Sequence, residues 1–137
     1  MEALDKYNIK FDPSRIVRCD NDDKRNYRRI HKLLTGPNKI DGIFSSIEKF
    51  ALTTYRVCID IKRRIPDQLK LICFSNLATA DFLNPSLSTI TQPANEMGAT
   101  AASELFKYLD KKRNQVYNTH IIIKSMLTIR GSSVNKT

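Results

Sequence analysis

The feature that most restricts the fold of this chain is an alternation of short β-branched runs with longer stretches of helical periodicity. Leu69 to Phe74 is the clearest run, nearly all apolar and bounded by the loop Arg64-Ile65-Pro66-Asp67-Gln68. A strand apolar on both sides is one buried on both faces, as in a parallel sheet covered by helices. Further strand patterns lie at Arg15 to Cys19, Ile40 to Phe44, Leu87 to Thr91, His120 to Ser125 and Leu127 to Arg130. Helical patterns separate them. Strands that alternate with helices predict right-handed βαβ units, hence an α/β chain with a mostly parallel sheet flanked by helices. No internal repeat or long linker divides the chain.

The helix boundaries carry their own signals. Met1 to Asn8 reads as the tail of a helix that starts without a cap, as though cut in mid-element. Asp12-Pro13-Ser14 is a turn. Asp20 to Asp23 offers acceptors for the N-terminus of a helix that runs to about Leu34, with Tyr27, Ile30, Leu33 and Leu34 on one face. Thr35-Gly36-Pro37 stops it. Ser45 and Ser46 are placed to cap the next helix, and Ser45 with Glu48 has capping-box spacing. That helix covers about Ile47 to Lys62. Leu52 and Val57 widen its apolar stripe beyond one face, which fits either deep burial or a core face plus a subunit interface. Ser75 to Asn84 reads as a loop or a single helical turn. Gln92-Pro93 turns the chain into a helix from Ala94 to about Tyr108 or Asp110, with Thr91 or Asn95 as its cap. Lys111, Lys112 and Arg113 suit its C-terminal end. Gly131 to Thr137 reads as a frayed tail.

Composition excludes several classes. The chain has 137 residues, 41% of them hydrophobic, enough for one domain with a core. No apolar run approaches the roughly 18 residues of a membrane span. The opening Met-Glu-Ala-Leu-Asp-Lys is no signal peptide. Three scattered cysteines, Cys19, Cys58 and Cys73, fit a reduced, cytoplasmic setting as small buried groups. The formal charge is +9, but the basic residues are spread over four helix faces or ends, as solvated surface rather than one nucleic-acid patch.

The residues point to binding rather than catalysis. His31 and His120 have no cysteine or carboxylate at ligand spacing, so no metal site is expected. There is no phosphate loop, nucleophile elbow or paired-carboxylate arrangement, so neither catalytic residues nor a cofactor is expected. The strand ends are more informative, because open α/β sheets bind ligands at the carboxyl ends of their strands. Here those ends carry Cys19-Asp20-Asn21, Phe44-Ser45-Ser46-Ile47 and Phe74-Ser75-Asn76. Their small polar groups suit a neutral polyol such as a sugar, or they only cap helices.

Several blocks resemble the LacI/GalR (lactose and galactose repressor) family of bacterial transcriptional regulators. Asp41 to Leu52 resembles that family's strand-to-helix segment with its Ala-Asn-Asp. Arg64-Ile65-Pro66-Asp67 is similar to the loop before the next strand, and Leu71 to Asn76 to its Val-Gly-Phe-Asp-Asp block. Asn84 to Gly98 resembles Pro-Pro-Leu-Thr-Thr-Val-Gln-Gln-Pro-x-x-Glu-Met-Gly. Ile129-Arg130-Gly131-Ser132-Ser133 resembles the closing Val-Arg-x-Ser-Ser. The likeness covers nearly the whole chain, in the correct order.

The resemblance implies a periplasmic-binding-protein-like (type I) subdomain. Residues 1–86 and 119–137 would form an incomplete C-terminal effector-binding subdomain. Residues 87–118 would be a crossover strand and helix that the family assigns to its N-terminal subdomain. The subdomain's first strand and the DNA-binding headpiece would precede Met1, so DNA would be bound only through a headpiece absent from this chain. The implied effector positions are Asn21, Ser46, Ile47, Ser75, Asn76 and Gln92, for a sugar or a derivative of one. Asn21 stands where the family often has an aromatic, Ile47 where it has the asparagine of Ala-Asn-Asp, and Ser75 where it has an aspartate. The implied homodimer interface is Leu52, Tyr55, Arg56, Phe82 and Leu83. The expected function is ligand sensing and dimerisation in a cytoplasmic regulator, with no membrane partner. The alternative is a fragment of a periplasmic sugar-binding transport protein. On either reading the 94–110 helix should cover its face of Met97, Ala101, Leu105 and Phe106 against another chain or by folding back on the sheet.

Overall fold

The computed structural model describes residues 2–110 and 120–134. The elements are α1 (Glu2–Lys6), a 3-10 turn (Pro13–Arg15), α2 (Asp23–Thr35), β1 (Gly42–Ser45) and α3 (Glu48–Asp60). They continue with β2 (Lys70–Phe74), a 3-10 turn (Ala80–Phe82), β3 (Ser88–Thr91), α4 (Ala94–Asp110) and β4 (Met126–Thr128). One sheet holds the strands in the order β1-β2-β3-β4. The first three are parallel, and β4 runs antiparallel to β3. Ser45 lies beside Cys73 and Phe74 beside Ile90, so the C-terminal ends of the parallel strands share one rim. No helix among the described residues is long and apolar enough to cross a membrane.

Local chemistry explains the helix ends. Asp22 caps α2, its carboxylate accepting the Arg25 N–H at 2.9 Å. Ile30 and Leu34 turn inward from α2, and the helix stops at Gly36 as the stop signal predicts. The cap of α3 differs from expectation. Its N-cap is Ile47, which makes no side-chain capping bond. Ser45 ends β1 with its side chain inward, and its hydroxyl donates to the Ile47 carbonyl at 2.7 Å instead. At the other end of α3, Lys62 takes the left-handed conformation (φ 56°) and the Arg63 N–H closes on the Cys58 carbonyl at 2.8 Å. The Arg63 guanidinium then donates to the carbonyls of Leu34, Ile40 and Gln68, joining the exits of α2 and α3 to the entrance of β1.

Two apolar clusters lie between sheet and helices. Ile30, Leu34, Ile40, Val57, Cys58 and Leu69 form one; Ala51, Tyr55, Leu71, Cys73, Ala80 and Leu87 form the other. Ile43 and Ile65 touch both. All three cysteines are free, and burial pushes the Cys58 thiol up to about 11.

Four strand or tail expectations are corrected. Arg15 to Cys19 forms no strand: after the 3-10 turn the chain is irregular, although Val17 and Cys19 pack on the first cluster. His120 to Ser125 forms none either, and Ile122 stands 78% exposed, because the ladder on β3 is taken by Met126–Thr128 facing Thr91–Thr89. Leu127 to Arg130 shifts to Met126–Thr128 for the same reason. Gly131 to Ser133 is not frayed. The Ser132 hydroxyl accepts from the Ser88 N–H at 2.8 Å and donates to the Leu71 carbonyl at 2.6 Å, and Ser132 is fully buried.

The apolar face of α4 does not fold back on the sheet. Met97 is 49% exposed, Leu105 57% and Phe106 64%. The basic run Lys111 to Arg113 lies outside the described residues.

Ser132→Ala should therefore cost more than a surface serine. It strands a buried donor on Ser88 and a buried acceptor on Leu71, at about 1–3 kcal/mol for each unmet group. Urea unfolding should show a loss of at least about 2 kcal/mol, against almost none for exposed Ser14→Ala. Equal losses for the two would contradict this account of the tail.

Candidate functional site

The rim at the ends of β1, β2 and β3 gathers most of the residues named from the sequence. Ser75 follows β2 and is buried, with its hydroxyl donating to Glu48 Oε2 at 2.7 Å and accepting the Leu77 N–H at 2.9 Å. Asn76 and Gln92 are tied reciprocally. The Asn76 amide donates to the Gln92 carbonyl at 2.9 Å, and the Gln92 N–H donates to Asn76 Oδ1 at 2.7 Å. This pair joins the end of β2 to the end of β3. The Gln92 side-chain amide stays exposed, with no partner among the described residues. Ser46 is exposed and Ile47 is 51% exposed, both at the end of β1.

Asn21 is exposed and makes no bond to the others. Its neighbour Asp20 is already engaged, by Arg25 Nε at 2.9 Å and Arg29 Nη1 at 3.1 Å. The Asp22 N–H, followed by the two arginines, holds the Asp20 carboxyl below its usual range. The structure thus joins Ser75 to Glu48 and Asn76 to Gln92, and leaves Asn21, Ser46 and Ile47 exposed, with no side-chain hydrogen bond to that set.

Glu48 is the rim residue that sequence reasoning missed. Its spacing from Ser45 suggests a capping box, and that local reading hides its partner 27 residues away. No signal in the local pattern identifies Ser75 as that partner. The rim can thus offer a carboxylate, two hydroxyls and two carboxamides, a set that hydrogen-bonds hydroxyl groups and carries a single negative charge, on Glu48. Among the described residues no group of three or more His, Cys, Asp or Glu side chains is arranged to hold a metal ion. A cavity of about 290 Å³ reaches Ser45 and Ser46 but lies at the free edge of β1, away from Ser75, Asn76 and Gln92.

The residues expected at a dimer interface divide. Leu52, Arg56 and Phe82 point outward, Phe82 with 86% exposure. Arg56 rests over the Tyr27 ring, 5.7 Å from its centre. Tyr55 and Leu83 face the core. The Tyr55 hydroxyl donates to the Pro85 carbonyl at 2.7 Å, and burial pushes its pKa up to about 12.

Asn76→Ala removes both bonds of the Asn76–Gln92 tie. Stability should fall by about 1 kcal/mol, and the Gln92 amide should exchange its hydrogen faster. Unchanged exchange at Gln92 would show that the tie does not order the rim.

Comparison with known proteins places the chain in a family. Residues 3–133 match the periplasmic binding protein-like domain family. An HTH-type transcriptional regulator, MalR, of Clostridium butyricum is 27% identical over 134 residues, 98% of this chain and 39% of its own length. The solved structure of a transcriptional regulator CelR–cellobiose complex superposes with a TM-score of 0.81 at 20% identity, over 96% of this chain and 40% of that one. A sugar-binding transcriptional regulator of the LacI family from Escherichia coli, complexed with phosphate, gives a TM-score of 0.81 at 20% identity, over 98% of this chain and 48% of that one. The chain thus spans less than half the length of these relatives. It belongs to the periplasmic binding protein-like domain family, and its relatives are LacI-type transcriptional regulators.

Proposed function

We propose that this chain is the ligand-sensing and dimerising part of a bacterial transcriptional regulator, and that it senses a small carbohydrate-like molecule. The observation that carries this reading is the rim of Ser75–Glu48 and Asn76–Gln92 at the ends of three parallel strands. Carboxamides and hydroxyls there present donors and acceptors to a polyol, and the Glu48 carboxylate is a strong acceptor for sugar hydroxyls. A related regulator of the same fold has been solved with cellobiose.

The mechanism is a population shift. A ligand bridging this rim and a second subdomain favours one arrangement of the two, and that preference is coupled to DNA affinity. Residues 87–118 belong to that second subdomain on this reading, and DNA is contacted only by a headpiece outside this chain. Leu52, Arg56 and Phe82 offer the outward part of a homodimer surface, while Tyr55 and Leu83 support it from beneath. The protein works in the cytoplasm.

A thermal-shift panel of pentoses, hexoses and disaccharides, cellobiose among them, tests the reading. A ligand at 100 times its Kd stabilises by about 2.7 kcal/mol, which is several degrees for a chain of this size. The shift should shrink by half or more in Gln92→Ala. No shift with any saccharide would contradict carbohydrate sensing.

A further inference from the structure

Among the rim residues Ser46, Ile47, Glu48, Ser75, Asn76 and Gln92, only Glu48 is charged. Its carboxylate is held by a buried partner. The Ser75 hydroxyl accepts the Leu77 N–H at 2.9 Å, and its single proton goes to Glu48 Oε2 at 2.7 Å. Ser75 is 6% exposed, so this bond fixes one oxygen of Glu48 from beneath. Glu48 itself is exposed, and its second oxygen, Oε1, accepts no hydrogen bond among the described residues.

Nothing among the described residues neutralises that carboxylate through an ion pair. Lys49, the next residue of α3, pairs with Asp23 at 2.6 Å. Arg25 and Arg29 of α2 close on Asp20 at 2.9 and 3.1 Å. What remains beside Glu48 is the N-terminal end of α3, worth roughly half a positive charge. A chain of formal charge +9 thus carries a rim of opposite sign. Exposed charges farther off than about 8–10 Å are largely screened in physiological salt, so the local carboxylate decides what a bound molecule meets.

The free oxygen selects its partner by charge as well as by geometry. A ligand hydroxyl can donate to it. An ammonium donates better, because a hydrogen bond between two ionised groups is shorter and stronger than one from a neutral donor. A carboxylate or phosphate on the ligand brings a like charge and no proton. The hydroxyls and carboxamides of the rim carry no charge and suit the ring hydroxyls of either kind of sugar.

We propose that Glu48 is a specificity-determining residue of the rim, one that selects amino sugars over neutral sugars and rejects uronic acids and sugar phosphates. This inference rests on the carbohydrate-sensing reading and names the class of sugar within it.

Calorimetric titration of the intact chain tests it at about pH 6.5, where an amine is protonated. Glucosamine, galactosamine and the chitosan disaccharide are compared with glucose, galactose and cellobiose, and with glucuronate and galacturonate. Solvent screens an exposed carboxylate, so at least one amine should bind about threefold or more tightly than its neutral parent, and neither uronate should come within about tenfold of that amine. The preference should shrink as salt is raised, which a purely structural role for Glu48 does not produce. Glu48→Gln keeps an acceptor for Ser75 and removes the charge, so in a variant that keeps the parent melting temperature the three classes should converge. Three results would overturn the proposal while leaving carbohydrate sensing intact: a neutral sugar bound as tightly as its amine, a uronate bound as tightly as either, or a preference that survives in Glu48→Gln. Binding of none of these sugars would overturn it too, and the sensing reading would then be decided by the wider saccharide panel.

Discussion

The fold depends on a buried hydrogen-bonded knot between Ser88 and the returning segment Arg130 to Ser133. Ser132 contacts two strands at once: its hydroxyl bridges the Ser88 N–H and the Leu71 carbonyl, and its own carbonyl accepts the Leu71 N–H at 2.8 Å. The Ser88 hydroxyl accepts from the Arg130 N–H at 2.7 Å and lies 2.7 Å from the Ser133 hydroxyl. The Arg130 guanidinium donates to the Leu87 carbonyl and to Thr89, and pairs with Asp81. Every buried side-chain polar atom among the described residues is satisfied. A network of this kind stabilises only when complete, because each unmet buried group is costly in a low dielectric. It holds β2 and β3 together near β3's entrance, opposite the rim that carries Ser75, Asn76 and Gln92.

That placement divides the labour of the sheet. The knot and the two apolar clusters make the base rigid. The rim is held more lightly, by the exposed Asn76–Gln92 tie and the Ser75–Glu48 bond. The residues proposed to meet a ligand are therefore positioned by strands that are anchored elsewhere, so the rim can change its partners without loosening the core. On the β1 side, Arg63 performs the analogous task by gathering three carbonyls at the exits of α2 and α3.

Much of this was legible in the sequence, and the exceptions share a cause. The α/β alternation, the apolar β2, the Asp22 cap and the stop at Gly36 follow from local pattern and appear within a residue or two of expectation. Hydrogen-bond partners far apart in sequence leave no such trace. Gly131 to Ser133 looks like a polar tail until Ser88 and Leu71 are placed beside it, and only the resemblance of Arg130-Gly131-Ser132-Ser133 to a family motif marks it. Glu48 looks like half of a capping box until Ser75 is brought to it. Arg15 to Cys19 and His120 to Ser125 have strand composition, but a strand is defined by its neighbours. Neither finds a ladder partner here, and the first lines the cavity at the free edge of β1.

The central claim is that ligand binding belongs to the rim while the knot at the base stays fixed. An amide-resolved NMR titration of the chain with cellobiose and other disaccharides tests it most directly. The account predicts saturable shifts centred on Glu48, Ser75, Asn76 and Gln92, with Leu71, Ser88 and Ser132 unmoved. Shifts centred on the base, or none at the rim under any saccharide, would contradict it.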